Sequence, residues 1–170
     1  RQFPFLLQLQ DTPERCGLDV LQLDHEDAHG QYEVNFGHAD ALARYFMRNI
    51  FFNDDVQVKD ITAETAVFGV YGPRAGEMLA AAGFPEVDLP LHHWREAEIG
   101  DRATAYVHRA DPVAGDGYFV TANAADQAVV RTALLAAGLL PIDDEAFDYL
   151  RIEAGLPRFG RELTLDYIPL

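Results

Sequence analysis

The densest group of chemically capable side chains lies near the end of the sequence, in "RIEAGLPRFGREL". Arg151 and Glu153 stand just before Gly155, a residue that is typical of a helix end. A guanidinium binds carboxylates and carbonyls, and a carboxylate accepts N–H groups, so the pair could hold a polar ligand. Residues two apart on a helix do not face each other, so we expect separate partners, one within the fold and one in a cleft. The structural alternative is that Arg151 caps carbonyls or braces a neighbouring loop.

Two other motifs have simpler structural interpretations. The stretch "VYGPRAG" could hold an anion at the start of a helix. Because it lacks the lysine of a phosphate-binding loop, a strand-to-helix turn at Gly72 and Pro73 is the favoured interpretation. His25 and His29 have the spacing of two metal ligands on a helix, yet they follow a strand and precede a glycine, which favours a turn.

Serine-hydrolase and zinc-protease motifs are missing from the sequence, so we predict no catalytic residue and no metal ligand in this chain.

Composition restricts the partners of the chain. The formal net charge of −15 repels phosphate backbones and anionic membrane surfaces, so we expect neither nucleic acid nor membrane as a partner. No apolar run approaches the roughly 18 residues that span a bilayer. The single cysteine, Cys16, excludes an internal disulfide framework and favours a reducing, cytoplasmic location.

Hydrophobic periodicity predicts an α+β class with mostly antiparallel sheets. Strands are predicted by alternating or short apolar runs, and helices by apolar residues at helical spacing, with Asn123 and Asp143 as N-caps. The predicted strands are residues 3–9, 18–23, 31–36, 56–61, 66–72, 104–108 and 117–122, and the predicted helices are 39–51, 74–82, 124–137 and 144–154. The proline-rich stretch 84–91 is the best candidate for a domain boundary.

Three stretches together resemble a known family. "LRIEAGLPRFGRELTLDYIPL" is similar to the "LRIEAGIPRYG" segment of YgfZ-type folate-binding proteins and to the "LRLEAGL" segment of glycine-cleavage T-proteins, which are aminomethyltransferases. "RYFMRNIFFNDDVQVKDIT" and "AVFGVYGPRAG" resemble a helix–loop–strand and a strand–turn of the same family. The resemblance extends from about residue 32 to residue 170, and the last motif is the most specific.

The resemblance implies a three-lobed protein around a channel that holds tetrahydrofolate. Residues 1–90 would form a ferredoxin-like lobe, 91–155 part of an adjoining α+β lobe, and 156–170 an exit segment toward a C-terminal barrel. We expect the chain to be truncated at both ends, because its start is strand-like and its last motif borders residues beyond Leu170. Arg151, Glu153 and Arg158 are the folate contacts that the resemblance implies.

Departures from the family pattern help to choose a branch. T-proteins have "TGEDGYE" in the hairpin, and the first glutamate of that motif holds the pterin. This chain has "VAGDGYF" instead, so Gly115 and Phe119 stand at the two acidic positions. They also have an arginine where this chain has Phe147. An apolar side chain cannot make a charge-assisted bond to pterin or to a folate carboxylate. These departures favour the YgfZ-like branch.

Three hypotheses follow. The first is a tetrahydrofolate-binding, YgfZ-like protein that supports maturation or repair of iron–sulfur enzymes. The second is a divergent T-protein, an aminomethyltransferase that moves a one-carbon unit from a lipoyl arm to tetrahydrofolate. The third is an interaction module that keeps the scaffold and has lost the folate, motivated by Gly115, Phe119 and Phe147.

Overall fold

The computed structural model describes residues 6–9, 18–25, 28–35, 39–51, 56–84, 87–100, 103–111, 113–158, 160–164 and 166. The strands are β1 Leu6–Leu9, β2 Leu18–His25, β3 Ala28–Asn35, β4 Val56–Asp60, β5 Thr65–Gly72, β6 Trp94–Ile99, β7 Ala103–Ala110, β8 Asp116–Asn123 and β9 Leu140–Ile142. The helices are α1 Ala39–Asn49, α2 Ala75–Ala81, α3 Gln127–Ala136 and α4 Asp144–Glu153. The α+β class predicted from periodicity is confirmed.

The larger sheet has six strands in the order β6-β7-β8-β5-β1-β9. Its pairs are antiparallel except for β1 and β9, which run parallel. The sheet joins strands from both sides of residue 90, so backbone pairing is continuous across the expected lobe boundary. The division into residues 1–90, 91–155 and 156–170 therefore stays a prediction about the lobes of a whole protein.

One face of this sheet packs against α2 and α3. The strand residues on that face alternate with residues on the other face, as a half-buried antiparallel sheet requires. The helices contribute apolar residues at three- and four-residue spacing, which places them on one side of each helix. The main core consists of Ala66, Phe68, Val70, Ala75, Leu79, Phe84, Ala97, Ile99, Ala103, Ala105, Val107, Tyr118, Val120, Ala122, Val130, Leu134 and Leu139.

The opposite face of the larger sheet packs against α4. Tyr71 and Leu150 form the buried part of a second apolar cluster there, together with Val113, and Phe119 and Phe147 pack against it. This face therefore brings the hairpin between β7 and β8 next to the helix that carries Arg151.

The smaller sheet has three strands in the order β3-β2-β4, and α1 lies against it. Its register pairs His25 with Ala28 and Asp24 with His29. The two histidines thus lie on neighbouring strands, and the helical spacing that would align two metal ligands does not occur. None of the helices in the described ranges is long and apolar enough to cross a membrane.

The structure corrects two details of the sequence prediction. β6 and β9 were not predicted, because β6 mixes charged residues with Trp94 and Ile99 and β9 has three residues that include Pro141. Asn123 occupies the predicted cap position with an extended backbone, but the segment that begins at Ala124 is first a 3-10 turn, Ala124–Asp126, and becomes α3 only at Gln127. The Asn123 side chain makes no capping hydrogen bond, so the capping chemistry expected of it is absent.

Candidate functional site

Helix α4 positions the most specific motif of the sequence. Asp143 precedes the helix in an extended conformation, and its Oδ1 accepts a backbone N–H of the first turn at 2.9 Å. The predicted N-cap is therefore confirmed. The helix ends before Gly155, whose φ of 72° lies in the left-handed region that favours glycine. This turn lets the N–H of Leu156 donate to the carbonyl of Arg151 at 2.8 Å, so the exit segment folds back against the helix end.

Arg151 ties the helix to the exit segment. Its side chain is only 4% exposed, and its Nε donates to Asp148 Oδ1 at 2.7 Å. Its Nη1 donates to the carbonyl of Leu156 at 3.1 Å and to Glu162 Oε2 at 2.8 Å, and its Nη2 donates to Glu162 Oε1 at 3.1 Å. These four bonds use most of the five N–H donors of a guanidinium. The structural interpretation of Arg151, a brace for a neighbouring segment, is what this geometry shows.

Two further arginines surround the same carboxylates. Arg161 Nη1 donates to Asp148 Oδ2 at 2.5 Å, and Arg158 Nη1 lies 3.7 Å from Asp148 Oδ1. The backbone N–H of Arg158 also donates to Glu162 Oε2 at 2.9 Å. Three guanidinium groups thus share two carboxylates, which leaves one positive charge in excess within a chain of net charge −15.

The network changes the protonation of Glu162. Hydrogen bonds from the Arg151 side chain, with a smaller contribution from the Arg158 backbone N–H, lower the pKa of Glu162 from its ordinary value of 4.5 to about 2. Glu162 is therefore ionised at neutral pH and is a permanent partner for Arg151.

Sequence reasoning missed the two carboxylates of this network. Asp148 is three residues before Arg151 on the same helix, and that spacing is a signal for a side-chain pair. Glu162 has no such signal, because its approach to Arg151 depends on the turn at Gly155 and on the path of the exit segment.

Glu153 occupies a different environment from Arg151. Its side chain is exposed, whereas Arg151 is buried two residues earlier, as the helical spacing predicts. The structure thus brings Arg151 and Arg158 into one network and places Glu153 at the solvent side of the same helix end. The predicted role of these three residues as ligand contacts stays a prediction.

The phenylalanines that depart from the family pattern pack around one tyrosine. Tyr71 is 2% exposed, and its ring stacks on Phe147 with centroids 5.2 Å apart and planes at 28°. Phe119 meets the same ring edge-on at 6.5 Å. The packing buries apolar surface between the hairpin and α4, so these phenylalanines stabilise the contact between the two elements.

Gly115 fits its hairpin only as glycine. Its φ is 125°, and a Cβ built on it would lie 2.6 Å from the backbone N of Pro73 and 2.8 Å from the carbonyl carbon of Gly72. Both atoms belong to the backbone, so they cannot move aside as a flexible side chain would. A carboxylate at position 115 is therefore incompatible with this turn.

Comparison with known proteins gives a consistent family assignment. The profile of the GCVT N-terminal domain matches residues 13–170. The chain is 31% identical over 141 residues to an aminomethyltransferase of Listeria monocytogenes serotype 4b, with 81% of the chain and 38% of that protein covered. It is 34% identical over 120 residues to an aminomethyltransferase of Shouchella clausii, with 68% and 33% covered. The chain thus spans roughly a third to two fifths of the length of these relatives.

A solved structure shares the fold. The glycine cleavage system aminomethyltransferase T of Bartonella henselae superposes with a TM-score of 0.79, over 97% of this chain and 55% of that one. The sequence identity is 16%, so this likeness concerns the architecture of the chain.

Proposed function

Because the chain belongs to the GCVT N-terminal domain family, we propose that it is the core of a cytoplasmic, tetrahydrofolate-binding accessory protein of the YgfZ type. In this proposal the whole protein binds the folate and supports the maturation or repair of iron–sulfur enzymes. It transfers no aminomethyl group through the residues of this chain. The resemblance of "LRIEAGLPRFG" to YgfZ-type proteins supports the choice of branch.

One observation carries the proposal. The positions at which the resemblance places two acids and an arginine of the aminomethyltransferases hold Gly115, Phe119 and Phe147. The Gly115 turn has no space for a side chain, and both phenylalanines pack around Tyr71. The charge-assisted contacts of a T-protein cannot come from these three positions, and a folate bound here needs other partners.

The remaining polar residues of the motif fit the chemistry of a folate. An exposed carboxylate such as Glu153 can accept the N–H groups of a pterin, and the Arg158 guanidinium can bind a glutamyl carboxylate. Arg151 has most of its donors occupied within the fold, so its main contribution is to hold the exit segment and Arg158 in place. Tetrahydrofolate would supply the one-carbon chemistry when it is bound.

Calorimetric titration of the full-length protein with tetrahydrofolate under anaerobic conditions tests the binding step. We expect saturable binding that weakens about tenfold or more in Glu153→Ala and in Arg158→Ala, since each removes a charge-assisted bond. Glu145→Ala, at the exposed start of the same helix, is the matched control and should bind as the wild type does. Absence of saturable binding would support a scaffold that has lost the folate.

Iron–sulfur support requires a cellular measurement. We expect deletion of the gene to lower the activity of an iron–sulfur dehydratase in cell extracts, and we expect wild-type protein to restore it. Glu153→Ala and Arg158→Ala should restore it less well than Glu145→Ala if the support depends on the folate. Equal restoration by all four proteins would separate the cellular role from the proposed ligand contacts.

A second candidate function is aminomethyl transfer. The curated relatives named above are called aminomethyltransferases, and the chain is similar to them over most of its length. This function requires polar side chains from outside the described residues to replace the two acids that the hairpin lacks at Gly115 and Phe119 and the arginine that α4 lacks at Phe147.

A further inference from the structure

Among the strands that the structure describes, β6, Trp94–Ile99, forms one edge of the six-stranded sheet. An edge strand has a row of backbone N–H and C=O groups on the side that has no neighbouring strand. The other edge, β9, is three residues long and contains Pro141, two features that discourage further pairing. β6 has six residues and no proline, so it is the better template for an added strand.

The register of β6 with β7 places aromatic and acidic residues on one face of this edge. Trp94 pairs with His108, Glu96 with Tyr106 and Glu98 with Thr104, and paired residues share a face. The alternate residues Arg95, Ala97 and Ile99 lie on the other face, where Arg95 is exposed and Ala97 and Ile99 are buried in the core beneath α2 and α3. The face that carries Trp94 is thus the one turned away from those helices.

Trp94 has an exposure that core packing does not explain. Its side chain is 59% exposed, and its ring meets Tyr106 edge-on with centroids 5.5 Å apart. Burial, with a further contribution from the neighbouring Glu96 carboxylate, raises the pKa of the Tyr106 phenol. Glu96 and Glu98 are both exposed. The edge therefore combines an indole face, which attracts cations, with two carboxylates on the same side.

We propose that β6 is a docking strand for an extended basic segment of a partner protein. The segment adds to the sheet through its backbone, and lysine or arginine side chains at alternate positions contact Trp94, Glu96 and Glu98. Charge complementarity selects this partner, because a basic segment meets two carboxylates on a chain of net charge −15. This inference does not depend on folate binding.

Two simpler explanations account for less. Charged residues on an edge strand discourage aggregation, which accounts for Glu96 and Glu98 but not for an exposed tryptophan. A second copy of this chain would bring the same carboxylates and the same net negative charge to the contact, so pairing between copies is opposed by repulsion.

Trp94 is the only tryptophan of this sequence, and subtracting the spectrum of a Trp94→Phe variant isolates the fluorescence of this edge in the full-length protein. The full-length protein is titrated with a peptide of alternating lysine and valine. An alternating glutamate–valine peptide and an N-methylated lysine–valine peptide are the controls. We expect a saturable blue shift of the tryptophan emission with the basic peptide only, and we expect this binding to weaken as the salt concentration rises.

Polarisation of a labelled basic peptide should show about tenfold weaker binding to the double variant Glu96→Lys/Glu98→Lys. The charge-matched pair Asp144→Lys/Glu145→Lys on α4 should bind as the wild type does.

Each other outcome overturns the proposal. Equal binding of the N-methylated peptide would exclude strand addition, and unchanged binding by the Glu96→Lys/Glu98→Lys variant would exclude this edge. Self-association of the chain through β6, detected by light scattering and abolished by the same variant, would identify a second copy as the occupant. No saturable signal with the basic peptide would also contradict the proposed partner.

Discussion

Arg151 is the residue on which the conformation of the exit segment depends. Its buried guanidinium joins Asp148, Glu162 and the carbonyl of Leu156. We expect Arg151→Ala to lower the free energy of unfolding by about 3 kcal/mol, because it removes a buried guanidinium with four hydrogen bonds and takes one cation from Asp148, whose side chain is 18% exposed. Urea unfolding followed by circular dichroism measures the change.

Arg161→Ala is the matched control for that variant. Arg161 contacts the same Asp148, but its side chain is 59% exposed, so we expect a loss of less than about 1 kcal/mol. Equal losses for the two variants would show that Arg151 is no more important than a surface partner.

Glu162 gives the network a pH dependence. Its pKa in the folded protein is about 2, below its ordinary value of 4.5, so its ionised form stabilises the fold. This contribution is complete above about pH 5 and is lost as the pH falls toward 2. We expect the difference in unfolding midpoint between wild type and Glu162→Gln to shrink over that interval. A difference that is constant from pH 6 to pH 2 would contradict the assignment.

Local sequence patterns predict the environments of Arg151 and Glu153 only in part. The two-residue spacing of Arg151 and Glu153 correctly predicts different environments, because helix geometry is local. Which of the two is buried follows from tertiary contacts such as that of Arg151 with Glu162, eleven residues later, and no local pattern predicts that contact.

At the scale of elements, the β7–β8 hairpin excludes the acid that T-proteins have there. We expect Gly115→Ala to lower the free energy of unfolding by about 2 kcal/mol or more, because Cβ meets the backbone of Gly72 and Pro73 and φ is 125°. Gly138→Ala separates the two causes: its φ is 95°, but nothing lies within 4 Å of its Cβ, so about 1 kcal/mol is expected. Thermal unfolding measures the loss of stability in both variants. Equal losses would show that the contact of Cβ with the backbone of Gly72 and Pro73 adds nothing to the cost of the positive φ.

Elements with strong local signals were predictable, and elements without them were not. The hairpin strands, α4 and its Asp143 cap follow from alternation, helical spacing and capping chemistry, which act over a few residues. Asp126 precedes α3 in the corresponding position without a capping bond, so residue type alone does not identify a cap. The strands β6 and β9 form by pairing with β7 and β1. Their formation therefore depends on the rest of the sheet and not on a local sequence pattern.

At the scale of the whole molecule, the class was predictable and the strand order was not. Placement of β1 between β5 and β9 joins residues separated by more than half of the chain, and its parallel pairing with β9 has no sequence signal. The family of the chain could not be predicted from local patterns either; it was predicted from the resemblance of three motifs, and the match over residues 13–170 confirms it.

The proposal that this molecule binds folate without aminomethyl transfer is tested most directly by a transfer assay on the full-length protein. The protein is saturated with tetrahydrofolate and mixed with an aminomethyl-loaded lipoyl carrier, and methylenetetrahydrofolate is measured against the uncatalysed background. With Gly115, Phe119 and Phe147 in place of the polar residues, we expect binding of folate and no product above background. Product formed with repeated turnover would contradict this account and identify the protein as an aminomethyltransferase.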